Sequence, residues 1–342
     1  MVIPLTPTER ILHLLHLLPV PVMDSFAGVL FGRALAIAVR RGMFDAVAVK
    51  ALSAPELCAE TGLNEEGVTL LAEAFVVGGY LLRKENKYIA SAEAKKWLVK
   101  DSPFYLGNFV RYVETLHERW QSLEYSLEHG KPGQPYYAEF TRADWEVYVH
   151  GMQDLARLIA AKVVPRITLA HGSRRLLDLG GSHGLYSINC CQRYDQLGAI
   201  IVDFPEALQH TARIVRQHEM EGRISLLGGD FRTMILPGNL DAALMFNIIH
   251  GLTEEENRML ISRVLNGLRP GGKLYILDQM RESRNRSRLK QLIPLMVGLN
   301  LLNEVGGTSY GFEDVARWCA QARSVRRLRL RLPGVTLVEV VM

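Results

Sequence analysis

Apolar positions follow two different rhythms along the chain. Up to about residue 170 they recur every three or four positions, while from about 175 short Leu-rich or β-branched runs alternate with helical stretches. The first rhythm predicts helices, and the second predicts a parallel sheet whose strands are joined by crossover helices. In the first half, Leu30 to Val47 and Ser53 to Gly62 have helical spacing, Thr61–Gly62–Leu63–Asn64 forms a turn, and Glu65 to Val77 resumes a helix. Gly78–Gly79 stops that helix, and Tyr80–Leu81–Leu82 and Lys87–Tyr88–Ile89 are placed to pair as a hairpin around Glu85–Asn86. Helix, turn, helix and a two-stranded wing make a winged-helix pattern. Such a module either reads DNA through its second helix or serves dimerisation and substrate capping. Here the second helix, EEGVTLLAEAFVVG, is acidic and has no Arg or Lys to neutralise phosphates, which favours the second use.

Residues 101–168 predict two or three long helices broken at Lys131–Pro132–Gly133. Their many aromatics, from Phe104 to Tyr148, suit an ordinary core, with some available to line a small-molecule pocket.

The second half carries the candidate chemistry. An apolar strand, Arg175 to Leu179, leads through Gly180–Gly181–Ser182–His183–Gly184 into the helical run LYSINCCQRY. A strand, a glycine turn and a helix start place backbone N–H groups and a positive dipole end beside a ligand, and the missing Cβ atoms let it approach. The next strand, Ala199 to Val202, ends at Asp203, followed by Phe204 and Pro205. A carboxylate at that strand tip can accept both ribose hydroxyls. The plainer alternative is a helix cap. A third strand, Ile224 to Leu227, ends in Gly228–Gly229–Asp230–Phe231; a fourth, Ala242 to Phe246, ends in Asn247–Ile248–Ile249–His250. A helix from Glu254 to Leu268 stops at Arg269–Pro270–Gly271–Gly272, and strand Lys273 to Leu277 ends at Asp278. All these polar residues fall at carboxyl ends of strands, where open α/β sheets bind ligands. The glycines read G-G-x-x-G rather than the spaced G-x-G-x-x-G of pyrophosphate sites, and no Arg or Lys lies between Leu176 and Gln192 to meet a phosphate. Taken alone, His250 could equally be a satisfied core histidine.

Composition narrows the class. A chain of 342 residues with 48% hydrophobic and 22% charged residues can bury a sizeable core and is expected to hold two domains rather than to be a disordered polymer. The net charge of +4 is mild for this size and does not call for a nucleic-acid partner, which more usually shows as a concentrated basic face. No apolar run reaches the roughly eighteen residues of a membrane span, and the apolar N-terminus, interrupted by Glu9 and Arg10, reads as a docked arm and not a signal peptide. Cys58, Cys190, Cys191 and Cys319 fit neither a disulfide framework nor a metal site, which points to a reduced, cytoplasmic setting and to no metal. The tail Arg327 to Leu332 alternates basic and apolar residues, as a solvated strand face does.

The series LLDLGGSHG, VDFPEAL, GGDF, NIIHGLTEEE and LRPGGKLYILD resembles the S-adenosylmethionine-dependent O-methyltransferases of the caffeate and hydroxyindole type, including bacterial polyketide and carotenoid enzymes. The resemblance spans almost the whole chain. It implies an α/β fold: a Rossmann-like sheet preceded by a mostly helical winged-helix domain. The implied division is a dimerisation domain over 1–100, a helical connector contributing to the substrate pocket over 101–170, and a cofactor-binding catalytic domain over 171–342. It also implies S-adenosylmethionine as cofactor, a small-molecule substrate and a homodimer, with the apolar helix Ile11 to Leu18 as one contributor to the dimer. By this resemblance Asp203 holds the ribose, Asp230 and Phe231 the adenine, and Asp178, Gly180, Gly181 and Gly184 the methionine part, with Phe204, Gly229 and Asn247 beside them. His250 matches the catalytic base and Asp278 the acid that orients it. Met152, Asn300 and Glu304 are the substrate-side candidates, and His183 is a neighbour of the cofactor. The chain departs from the family in having His250–Gly251–Leu252 instead of His-Asp-Trp. Phe246 replaces a lysine, and Thr308–Ser309–Tyr310 stands where a second acid is expected, a place Glu304 could fill.

Overall fold

The computed structural model describes residues 6–134, 136–137, 140–281, 288–330, 332 and 334–342. Two compact units result, residues 1–117 and 118–342.

In the first unit, helix Ala54–Thr61 starts with a reciprocal cap in which Ser53 N–H donates to Glu56 at 2.7 Å. Helix Glu65–Val77 starts where the Asn64 side chain accepts from Gly67 N–H at 2.7 Å. A three-stranded sheet has the order β1 (Leu52–Ser53), β3 (Lys87–Ala90), β2 (Leu81–Lys84), so the expected hairpin forms and gains a short third strand. Phe44, Leu57, Phe75 and Leu81 fill the core between helices and sheet. Glu73 of the second helix pairs with Arg83 at 2.9 Å and accepts from Tyr88 at 2.7 Å, so part of that helix's acidity ties down the wing.

One expectation is corrected in this unit. Counting unbroken apolar residues missed the helical segment Val20–Arg40, 21 residues with a mean hydropathy of 1.7, long and apolar enough to span a membrane by length and composition. Continuity explains the difference: a π-helical turn at Met23–Ala27 joins the short helix Val20–Val22 to Gly28–Arg40, and the run tolerates Asp24 and Arg33. Val22, Phe26, Val29 and Leu30 on this segment are exposed, as are Ile11, Leu14, Leu15 and Leu17 before it.

The second unit is built on a seven-stranded sheet. Its strands are β4 (Arg175–Leu179), β5 (Gly198–Asp203), β6 (Ile224–Gly228), β7 (Leu240–Phe246), β8 (Leu268–Asp278), β9 (Ser324–Leu328) and β10 (Thr336–Val341), in the order β6-β5-β4-β7-β8-β10-β9. β4 to β8 run parallel, while β10 is antiparallel to β8 and β9 to β10. Alternation sends Ala242, Leu244 and Phe246 into one core and Ala243 and Met245 into the other, so helices cover both faces. Helix Arg142–Val163, capped by Thr141 and Asp144, packs on the first face; helix Glu254–Gly267, capped by Thr253 and Glu256, packs on the second. Strand β8 begins at Leu268 instead of Lys273: the Pro-Gly-Gly stretch is a bulge, with Leu240 opposite Leu268 and Ala242 opposite Lys273.

The fold sets up the site through its topology. β4 pairs with β5 on one side and β7 on the other, so the chain reverses direction of winding between β4 and β7 and opens a crevice at their carboxyl ends. In the tail, Arg327 and Arg329 are exposed and Leu328 and Leu330 half-buried, while Arg331 and residues 1–5 of the N-terminal arm lie outside the described residues.

Candidate active site

The first half of the rim is the glycine turn. Gly180 (φ +63°) and Gly184 (φ +69°) adopt left-handed backbone that favours glycine, and Gly184 caps helix Leu185–Arg193. At Gly181 a Cβ would sit 2.7 Å from Ile201 and 2.8 Å from the Asp178 carboxylate, so glycine is needed for space. Ile248 lies over Gly180 from the tip of β7. Asp203 joins the turn to β5: its carboxylate accepts from Ser182 N–H at 2.9 Å and Phe204 N–H at 2.8 Å. Asp178, fully buried, accepts from the Ser187 hydroxyl at 2.7 Å.

Burial pushes the Asp178 carboxyl up to about 7, against the Ser187 hydrogen bond and with a further push from Asp203. Burial likewise pushes Asp203 up to about 6, although its two backbone donors favour the charged form. His183 is driven the other way, down to about 4, by burial and by Arg157. It is therefore neutral at ordinary pH, with Nδ1 accepting from Leu185 N–H at 3.0 Å.

The second half of the rim holds the histidine. His250 sits in a single 3-10 turn, Ile249–Gly251, just beyond β7, and Asp278 ends β8. His250 Nδ1 lies 2.6 Å from Asp278 Oδ1, with the histidine side chain 14% and the aspartate 2% exposed. With the carboxylate on Nδ1, that nitrogen carries the proton and Nε2 is left as the basic position. Burial opposes the imidazolium, but Asp278, Glu304 and Gln279 together outweigh it and raise the His250 pKa. Gln279 N–H donates to the same Asp278 oxygen at 2.8 Å, and Asp278 Oδ2 is buried without a partner.

Several residues that sequence reasoning missed hold this turn. Asn257 donates to the carbonyls of Ile249 (2.8 Å) and Leu252 (3.3 Å), and Tyr310 to that of Leu252 at 2.8 Å. Thr308 N–H donates to the His250 carbonyl at 2.9 Å. Gly307 lies flat against that carbonyl, where a Cβ would collide with it. The Gly306–Gly307 pair was the one visible signal.

Other candidates fall as follows. Asn247 follows β7 and its side chain accepts from Gln279 at 2.9 Å. Phe204 leaves β5 and meets Tyr137 (5.6 Å) and Trp145 (6.1 Å), part of an aromatic cluster with Phe140 and Tyr148. Gly229 N–H donates to the Asp203 carbonyl at 3.0 Å, linking the tips of β5 and β6. Asp230, the adenine-side candidate, is forked by Arg232, with contacts of 3.0, 3.0 and 2.7 Å. The cause lies two residues downstream, where the turn folds the guanidinium back onto the carboxylate.

Asn300 and Glu304 lie one turn apart on helix Arg288–Val305. Trp120 donates to Asn300 at 2.7 Å, while Asn300 and Tyr136 hydrogen-bond Glu304. Burial pushes Glu304 up to about 7, against those donors and the charges of Arg119 and His250. The structure thus brings Glu304 into the electrostatic reach of His250. Met152 is half-buried on helix Arg142–Val163, with no hydrogen bond or ion pair linking it to the dyad among the described residues.

Comparison with known proteins matches this architecture. A profile of the O-methyltransferase domain covers residues 111–315, and the chain belongs to that family. The chain is 25% identical over 328 residues to a 3-hydroxy-5-methyl-1-naphthoate 3-O-methyltransferase of Streptomyces sahachiroi, covering 92% of this chain and 93% of the relative. It is 28% identical over 298 residues to the tetracenomycin polyketide synthesis 8-O-methyl transferase of Streptomyces glaucescens, covering 85% and 86%. Human N-acetylserotonin methyltransferase, solved in complex with SAM, superposes with a TM-score of 0.82 at 18% identity over 98% of each chain. The protein is an S-adenosylmethionine-dependent O-methyltransferase. The residues present suit that cofactor: burial raises both Asp178 and Asp203, with Asp203 further opposing ionisation of Asp178, so this turn favours a cation, and the Ser182 hydroxyl in it is buried without a partner among the described residues.

Proposed function

We propose that the enzyme methylates a hydroxyl of a small aromatic or polyketide-like acceptor, with His250 as general base and Asp278 as the acid that orients it. The observation that carries this reading is the 2.6 Å contact between His250 Nδ1 and Asp278 at the carboxyl ends of adjacent strands. When bound, the cofactor supplies an electrophilic sulfonium methyl. Asp203 accepts the ribose hydroxyls, Asp230 and Phe231 hold the adenine, and Asp178, Gly180, Gly181 and Gly184 hold the methionine part, with Phe204, Gly229 and Asn247 lining the cleft. His250 Nε2 takes the acceptor's hydroxyl proton, and Asp278 stabilises the resulting imidazolium, a role typically worth on the order of a hundred- to ten-thousandfold in rate. Glu304 acts as the second acid near that ring, and Asn300 and Met152 contact the acceptor.

A flat acceptor suits the aromatic cluster of Tyr137, Phe140, Trp145 and Tyr148 around Phe204. The bacterial relatives named above act, by name, on a naphthoate and on a polyketide. In this reading residues 1–100 serve dimerisation, 101–170 contribute acceptor-binding residues and 171–342 hold the cofactor and the base. Two features support a homodimer that does not bind nucleic acid: the exposed apolar residues from Ile11 to Leu30, which a second copy would cover, and an acidic second helix partly committed to the wing. The four cysteines are free, in keeping with a cytoplasmic setting.

The test is mass spectrometry of reactions containing methyl-labelled cofactor and a panel of phenols, quinones and polyketide aromatics, for the wild type and His250→Ala. The reading requires an O-methylated product that the variant fails to form. A product methylated on carbon or nitrogen, or full turnover by the variant, overturns it.

A further inference from the structure

The loop after β6 is held from outside by one side chain. Arg263, half-buried on helix Glu254–Gly267, donates Nη1 to the carbonyls of Phe231 (3.1 Å) and Arg232 (2.7 Å), and Nη2 to that of Met234. Inside the loop, Thr233 N–H and Met234 N–H both donate to the Asp230 carbonyl, at 3.0 and 2.9 Å. The loop is thus a closed turn whose outward carbonyls converge on a single guanidinium. A planar group with five donors can satisfy three carbonyls at once; a lysine ammonium has neither the span nor the fork.

The same helix reaches the other half of the rim. Six residues before Arg263, Asn257 donates to the carbonyls of Ile249 and Leu252, which flank His250. One rigid element therefore carries two backbone clamps, one on the turn holding the base and one on the loop holding Phe231.

We propose that Arg263 is a positioning residue for the cofactor: by gathering the carbonyls of residues 231, 232 and 234, it sets the Phe231 ring and the Asp230 carboxylate where adenine is received. This rests on the reading that adenine lies against Asp230 and Phe231. Arg263 touches neither cofactor nor acceptor; it acts through the loop. Fixing the loop before binding removes an ordering cost that the free protein would otherwise meet on each association.

The test is calorimetric titration of S-adenosylhomocysteine, and separately of adenosine, into the wild type, Arg263→Met, Arg263→Lys and Phe231→Ala, with thermal melts of the ligand-free proteins. Arg263→Met should weaken both ligands by the same factor, roughly ten- to hundredfold for lost charged hydrogen bonds. Arg263→Lys should recover little of that loss, because charge without the fork cannot gather three carbonyls. Phe231→Ala should also weaken both ligands. If Arg263→Met, or Arg263→Lys where the first variant does not fold, binds both ligands as the wild type does and merely melts lower, Arg263 is structural and the proposal is overturned. If Phe231→Ala itself binds normally, adenine lies elsewhere and the underlying reading fails with it.

Discussion

The two halves of the sheet's rim handle buried charge in opposite ways. At the tips of β4 and β5, Asp178 and Asp203 are like charges taken out of water, and each is raised, to about 7 and about 6. At the tips of β7 and β8, His250 and Asp278 lie 2.6 Å apart, and the histidine's affinity for a proton rises because the carboxylate stabilises the imidazolium. The first half is short of positive charge and the second supplies its own. A buried carboxyl pair is costly to ionise until a cation arrives, whereas a histidine–carboxylate pair is stable in place and ready to take up a proton. The difference fits the proposed division, with the cationic cofactor at the first half and proton transfer at the second.

The contrast can be broken by substitution. The largest expected effect is that of His250→Ala, which should lower kcat by about a hundred- to ten-thousandfold. Calorimetric affinity for S-adenosylhomocysteine should stay nearly unchanged, because among the described residues the ring makes no hydrogen bond to the glycine turn, Asp178 or Asp203, and reaches Asn247 only through Gln279. Asp203→Asn should do the reverse: affinity falls roughly ten- to hundredfold with the loss of a charged acceptor, while kcat at saturating cofactor is nearly kept. Gly307→Ala should be milder. Its Cβ would displace the His250 carbonyl and strain the bond from Thr308 N–H, so kcat should fall several-fold with cofactor affinity intact. Native kcat in that variant would show that the turn does not aim the ring.

The smallest effect concerns stability and pH. Asp178 has its folded pKa raised to about 7, well above the unfolded value near 4, so the native state holds the proton more tightly. The stability this contributes is complete below pH 4 and is lost as pH rises through 7. Between pH 5 and 8, therefore, the ligand-free protein should melt lower as pH rises, and Asp178→Asn should flatten that slope. An unchanged slope in the variant would remove Asp178 from the account.

The same contrast explains what could be read from the sequence. The first half is local: each strand runs straight into its own turn, so GGSHG, VDF and GGDF show the elements and the candidate residues together. The base half is assembled from afar. His250 and Asp278 are legible as strand tips, but their 2.6 Å contact depends on the pairing of β7 with β8. Asn257 looks like any polar residue on a capped helix, and Thr308 acts through its backbone, which no side-chain pattern reveals. Arg232 beside Asp230 was near enough to read, yet a short turn decides whether the guanidinium swings out or folds back. The bulge at the start of β8 and the π turn that extends the apolar helix from Val20 likewise arise from backbone continuity that residue preference does not encode.

The central claim is that Asp278 works through the proton affinity of His250. Its most direct test is the pH dependence of single-turnover methyl transfer at saturating cofactor, compared between the wild type and Asp278→Asn. Because the base must be neutral to act, the rate should rise with pH through the raised pKa of His250. Removing the carboxylate's charge should move that rise to lower pH and reduce the plateau. Superimposable profiles, in position and in height, would contradict the claim.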